Sequence, residues 1–207
     1  MGASACTALV HGLWLGRPSA WPMAQQLQQR GHQTRLFGYS SVYRSPGENS
    51  AVLARWARSI EAETVHWIGH SLGGLLLLRM LAEAGRELPP GRVVLLGSPI
   101  RGSGAARGSA GFLPFRWAMG RALEMLVDGY PELPPEREVA AFAGTASIGL
   151  GQAFAGLDKP HDGTVAVSET RVDGLALHRT FPVSHTGMMM SAPVANAVDR
   201  FLLSGVA

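Results

Sequence analysis

Ser71 stands in Gly69-His70-Ser71-Leu72-Gly73-Gly74, between the β-branched, apolar residues 64–68 and the helix-compatible run 75–80. A serine set between glycines on a strand-to-helix turn has the makings of a nucleophile. The turn is so tight that side chains at the glycine positions would collide, and it holds the serine with Oγ exposed. The helix starting behind it turns a positive dipole end toward any oxyanion that forms there. In a chain with 26 glycines such a pattern arises by chance roughly a quarter of a time, so its context carries the weight. A serine hydroxyl needs a base, and the base needs an acid to orient it. After Ser71 the chain offers Asp158, Asp162 and Asp173, then His178 and His185. His185 lies in Val183-Ser184-His185-Thr186-Gly187-Met188, a loop where an imidazole can reach back over a sheet, whereas His178 falls inside a strand pattern. Asp162 lies in His161-Asp162-Gly163, a turn signal. Asp158 is the alternative acid, and Asp173, also followed by Gly, reads as a hairpin-turn residue.

The elements that must position these residues alternate. Residues 7–10, 33–37, 64–68, 92–96 and 138–144 read as short strands, with another around 176–181. Helices are expected over 19–30, with Ser19 as N-cap, then over 47–63, 71–84 and 192–203. This predicts one domain over residues 1–207: a doubly wound, mostly parallel α/β sheet of about six strands with helices on both faces. Ligands of such sheets bind at the carboxyl ends of the strands. Residues 99–135 break the alternation and read as a cap-like or lid-like insertion with one helix around 115–126.

These pieces together resemble the lipase and esterase branch of the α/β-hydrolase superfamily. The resemblance rests on Val10-His11-Gly12, Gly69 to Gly74, Leu96-Gly97-Ser98-Pro99 with Arg101-Gly102-Ser103, Asp162-Gly163-Thr164-Val165 and His185, in family order along nearly the whole chain. It implies a carboxylic ester hydrolase with the triad Ser71, Asp162 and His185, an acyl-enzyme intermediate, and an oxyanion hole made by the backbone N–H groups of Leu13 and Leu72. It also implies a minimal version of the fold. Ile100 stands where these lipases often carry histidine, a change expected to touch packing. Trp14, Phe112 and Met188 are expected to line the substrate pocket. Acyl transfer or thioester hydrolysis on acyl-CoA or an acyl carrier would use the same triad, and a noncatalytic binding module is a third reading.

Composition excludes other classes. The 207 residues are 46% hydrophobic and 16% charged, the opposite of a disordered chain. The net charge of +3 is too small to mark a nucleic-acid binder unless clustered. The only cysteine, Cys6, supports neither disulfide nor cysteine cluster. His11, His70, His161 and His185 lack metal-site spacing, and Gly69 to Gly74 matches no nucleotide loop, so neither metal nor cofactor is expected. No signal peptide or membrane span is visible in the given chain, which predicts a cytoplasmic protein. One cluster stands out: Arg101, Arg107, Arg116 and Arg121, with no acid from 101 to 123, interleave with Phe112, Leu113, Phe115 and Trp117. They predict peripheral contact with anionic lipid or an acyl carrier.

Overall fold

The computed structural model describes residues 5–147 and 157–206. Six strands form one sheet: β1 (Ala5–Val10), β2 (Gln33–Phe37), β3 (Thr64–His70), β4 (Val93–Leu96), β5 (Val139–Gly144) and β6 (Leu177–Phe181). Their order is β2-β1-β3-β4-β5-β6, and every neighbouring pair is parallel. The central strands β4 and β5 are buried along their whole length, while β2 alternates and β6 is mostly half-exposed or exposed. That contrast is what a parallel sheet covered on both faces requires.

Helices α1 (Trp21–Gln28) and α7 (Ala192–Ser204) cover one face, where Leu9, Ile68, Val94 and Phe142 pack against Leu27, Val198 and Phe201. Helices α2 (Pro46–Arg58) and α3 (Leu72–Ala84) cover the other, over Ala8, Val10, Trp67 and Leu95. The strand order reverses between β1 and β3, where Val10 pairs with Gly69. Both strands therefore deliver their exit loops to the switch point of the sheet.

Some local expectations need correction. Ser19 does not cap α1; its hydroxyl donates to Gly16 O within a 3-10 turn, and the helix starts at Trp21. Helix α2 ends at Arg58, short of the expected 63, and begins at a Ser45/Glu48 capping box that the sequence reading missed. Residues 113–128 do not form one helix. After α4 (Gly104–Ser109), helix α5 (Leu113–Met119) stops at Gly120, whose φ is +54, and α6 (Leu123–Asp128) starts anew. These helices gather around Leu72 and Leu75 at the start of α3, with Ala106, Met119, Met125 and Leu126 buried between them. Of the connector ahead of Asp162, residues 148–156 lie outside the described residues.

Candidate active site

At the end of β3 the chain passes through Ser71 into α3, and Ser71 has φ +55 and ψ −125. Such a conformation costs a non-glycine residue about 1–3 kcal/mol and persists only if its surroundings fix it. The Ser71 N–H donates to Leu96 O at 2.9 Å, and its carbonyl accepts from Gly74 N at 3.0 Å. The flanking glycines are sterically required. A Cβ on Gly69 would lie 2.4 Å from Gly74 Cα, one on Gly73 2.4 Å from His11 O, and one on Gly74 2.0 Å from Ser98 Oγ.

The loop leaving β1 lies against this turn: a Cβ on Gly12 would sit 3.1 Å from Ser71 Cβ. His11 orders the loop. The Tyr39 amide donates to its Nε2 at 3.3 Å, so Nδ1 carries the hydrogen and donates to Gly12 O at 2.8 Å. Its ring stacks on Tyr39 with centroids 4.5 Å apart. Burial lowers the His11 pKa, opposed by the bond to Gly12, which suits this neutral tautomer. A trans peptide points its C=O and N–H in opposite directions, so fixing Gly12 O fixes the aim of the Leu13 N–H. Leu72 is the first residue of α3, and its N–H is among the four without an acceptor inside the helix.

Asp162 and His185 meet beyond the ends of β5 and β6. His185 Nδ1 lies 2.7 Å from Asp162 Oδ2, and the His185 N–H donates to Asp162 O at 2.9 Å. The other carboxylate oxygen accepts from Thr164 N at 2.9 Å and Val165 N at 2.8 Å. Burial pushes the Asp162 carboxyl up, but the His185 contact and these two amides outweigh it and hold the pKa below its ordinary value. With Nδ1 donating to the carboxylate, the basic lone pair of His185 is on Nε2. The pair sits beside the serine turn. A Cβ on Gly97, the residue after the Leu96 that accepts from Ser71, would lie 3.1 Å from His185 Nδ1 and 3.2 Å from Asp162 Oδ2.

His70 supports this corner from below. It is buried, its Nε2 lies 3.1 Å from His185 O, and the two rings are 4.8 Å apart. Burial first, and then the nearby His185, lower its pKa to about 3. It is neutral, with Nε2–H donating to the carbonyl. The sequence pattern placed His70 beside the nucleophile but carried no sign of this bond, which spans 115 positions.

The remaining candidates separate. Asp158 and Asp173 are exposed, and His178 bonds Thr170 Oγ1 at 2.9 Å on β6. Met188 was expected to line the pocket. It is fully buried against α7 and β5, with Cε 3.2 Å from where a Gly144 Cβ would be. Phe112 is 64% exposed at the start of α5. Trp14 stands at the rim, its Nε1 donating to Ala118 O at 2.7 Å. Ile100 is fully buried in the core, a packing role. Glu169 was missed. Buried, its carboxylate accepts from Gly104 N of α4 and, at 3.0 Å, from Ala166 N of the Asp162 loop. A cleft of about 500 Å³ lined by Cys6, His32, Arg35 and Glu61 opens at the opposite edge of the sheet, remote from Ser71. Beside Leu72 lies a cavity of about 10 Å³ bordered by Tyr39, Asn49 and Met125.

A family model described as "Alpha/beta hydrolase family" matches residues 8–201. Among solved structures, the mature lipase BlEst2 of Bacillus licheniformis superposes with a TM-score of 0.79 at 19% identity, covering 100% of this chain and 94% of that one. The metagenomic carboxyl esterase MGS0156 gives 0.77 at 18% identity, covering 100% and 77%. The RedJ thioesterase of the Streptomyces coelicolor prodiginine pathway gives 0.60 at 14%, covering 98% and 84%. At these identities the likeness establishes the fold. No curated relative matches.

Proposed function

The chain belongs to the alpha/beta hydrolase family, and from that premise we propose that it is a serine esterase or lipase cleaving carboxylic esters through an acyl-enzyme on Ser71. The observation that carries this reading is the 2.7 Å contact between His185 Nδ1 and the buried Asp162 carboxylate, set beside a serine held at φ +55. Ser71 Oγ attacks the ester carbonyl carbon while His185 Nε2 takes its proton. The Leu13 and Leu72 amides bind the resulting oxyanion. When the tetrahedral species collapses, the carbon–oxygen bond to the alcohol breaks and the alcohol leaves with the proton held by His185. Water then attacks the acyl-enzyme, again losing its proton to His185, and the acid departs as Ser71 recovers its hydrogen. Asp162 fixes the tautomer and stabilises the imidazolium.

A fluorophosphonate probe tests the nucleophile: labelling is expected for the parent and none for Ser71→Ala, and full labelling of that variant overturns the assignment. Asp162→Asn should lower kcat by about 10⁴; near-normal turnover would move the acid elsewhere. Thioester hydrolysis or acyl transfer is the second reading, because a thioesterase is among the solved structures sharing the fold and the same three side chains would serve it. Rates on nitrophenyl esters and acyl-CoAs of graded length, with and without an alcohol acceptor, separate the two. A noncatalytic module is disfavoured because the serine, acid and histidine are all present.

A further inference from the structure

We propose that the outer face of the segment between β4 and β5 docks on an anionic phospholipid surface. Helix α5 turns apolar side chains into solvent: Leu113 is 65% and Trp117 81% exposed. Its end is tied to the loops at the mouth of the candidate site. Trp14 Nε1 donates to Ala118 O at 2.7 Å, and Arg121 N donates to Val42 O at 2.9 Å. Through these bonds Trp14 and Tyr43, 53% and 84% exposed, extend the apolar surface toward Ser71.

The charges decide what this surface fits. Residues 101–123 contain no acid, but the structure sorts the arginines. Arg107 is spent on Val127 O at 2.9 Å, and Arg121 pairs with Glu48 at 3.5 Å. Arg116 and Arg44 are exposed and form no ion pair among the described residues. Each adjoins an exposed aromatic in the chain, as Arg116-Trp117 and Tyr43-Arg44. An apolar ring that enters the acyl boundary beside a guanidinium that stays with the phosphates is the pairing a lipid–water interface takes up. A fluid interface receives isolated apolar side chains without a shaped groove, which favours it over an acidic carrier protein. The purpose of the surface, delivering an acyl ester to Ser71, rests on the esterase reading; the docking does not.

Partitioning onto phosphatidylcholine vesicles with and without phosphatidylglycerol tests the proposal. Binding to the anionic vesicles is expected to exceed that to the neutral ones by roughly tenfold or more and to fall as salt is raised. Arg44→Glu with Arg116→Glu should remove the preference, and Trp117→Ser should weaken binding to anionic vesicles severalfold. Both variants should hydrolyse a soluble nitrophenyl ester at the parent rate. Ser71→Ala protein should bind as the parent does, so a failure of the esterase reading would show in the hydrolysis assay alone. Equal binding to both vesicle types, binding to neither, or capture by an acidic acyl carrier with vesicles ignored would overturn it.

Discussion

Two histidines that do not carry the proposed proton transfer nevertheless condition it, and each makes a measurable claim. His70 has a folded pKa of about 3 against an ordinary value of 6.5. Between those limits the unfolded chain binds a proton that the folded chain refuses. The stability linked to His70 is therefore complete above pH 6.5 and is lost progressively as pH falls toward 3, at up to about 1.4 kcal/mol per pH unit. His70→Gln keeps an N–H near Nε2 but cannot titrate. Urea unfolding at pH 6.5 and 4.5 should show the parent losing about 2 kcal/mol more than the variant, and matching losses would mean the ring is not held neutral. His11 acts through a peptide plane, because its bond to Gly12 O aims the Leu13 N–H. His11→Leu should lower kcat by about 10–100-fold with KM nearly unchanged, as for a weakened oxyanion donor. His11→Asn, whose side-chain amide reaches the Nδ1 position, should recover much of it. A loss appearing in KM, or Asn no better than Leu, would remove His11 from this role.

Glu169 joins two elements that hold the site, the start of α4 and the loop of Asp162. Burial raises its pKa more than the two amides and Arg107 lower it, so the linked stability is full below the ordinary carboxyl value and declines as pH rises through the raised one. At neutral pH its carboxylate is worth keeping for the amides it satisfies. Glu169→Ala should cost about 1–3 kcal/mol. Amide exchange should speed up in α4 and residues 162–166 and stay slow in α1 and α7; uniform acceleration would show a general rather than local tie. The bond to Gly104, 65 residues back, leaves no mark in the nearby sequence; only the one to Ala166, 3 residues back, is local. The serine turn was legible because its pattern is local, with Gly69, Ser71, Gly73 and Gly74 within six residues, although only Gly69 is demanded by atoms of the turn itself; Gly73 and Gly74 answer to His11 O and Ser98 Oγ from distant parts of the chain. The strands were legible for the same reason, as apolar runs bounded by glycine and proline. Asp162 could be preferred over Asp158 only on turn chemistry, because the distance to His185 depends on how β5 and β6 lie. The break between α5 and α6 had its signal in Gly120, and the start of α2 in Ser45 and Glu48; both were local features passed over.

Because every strand runs the same way, the two edges of the sheet carry different burdens. At the carboxyl edge, strain is kept in Ser71. At the amino edge, where β4 and β5 begin, the half-buried Arg137 donates to Pro89 O at 2.8 Å, Gly91 O at 3.2 Å and Gly85 O at 3.3 Å, gathering the turn before β4. Removing each group should separate stability from activity. Ser71→Gly relieves a backbone conformation that glycine adopts freely, so the protein should gain about 1 kcal/mol over Ser71→Ala while hydrolysis vanishes in both. Arg137→Ala leaves several carbonyls without a donor and should cost about 1–3 kcal/mol, with kcat/KM unchanged below the unfolding transition. Thermal unfolding and ester hydrolysis on the same three variants check both halves. If Ser71→Gly is no more stable than Ser71→Ala, the strain at φ +55 is not stored where the geometry places it. If Arg137→Ala loses activity while still folded, the two edges are coupled and the division between them fails.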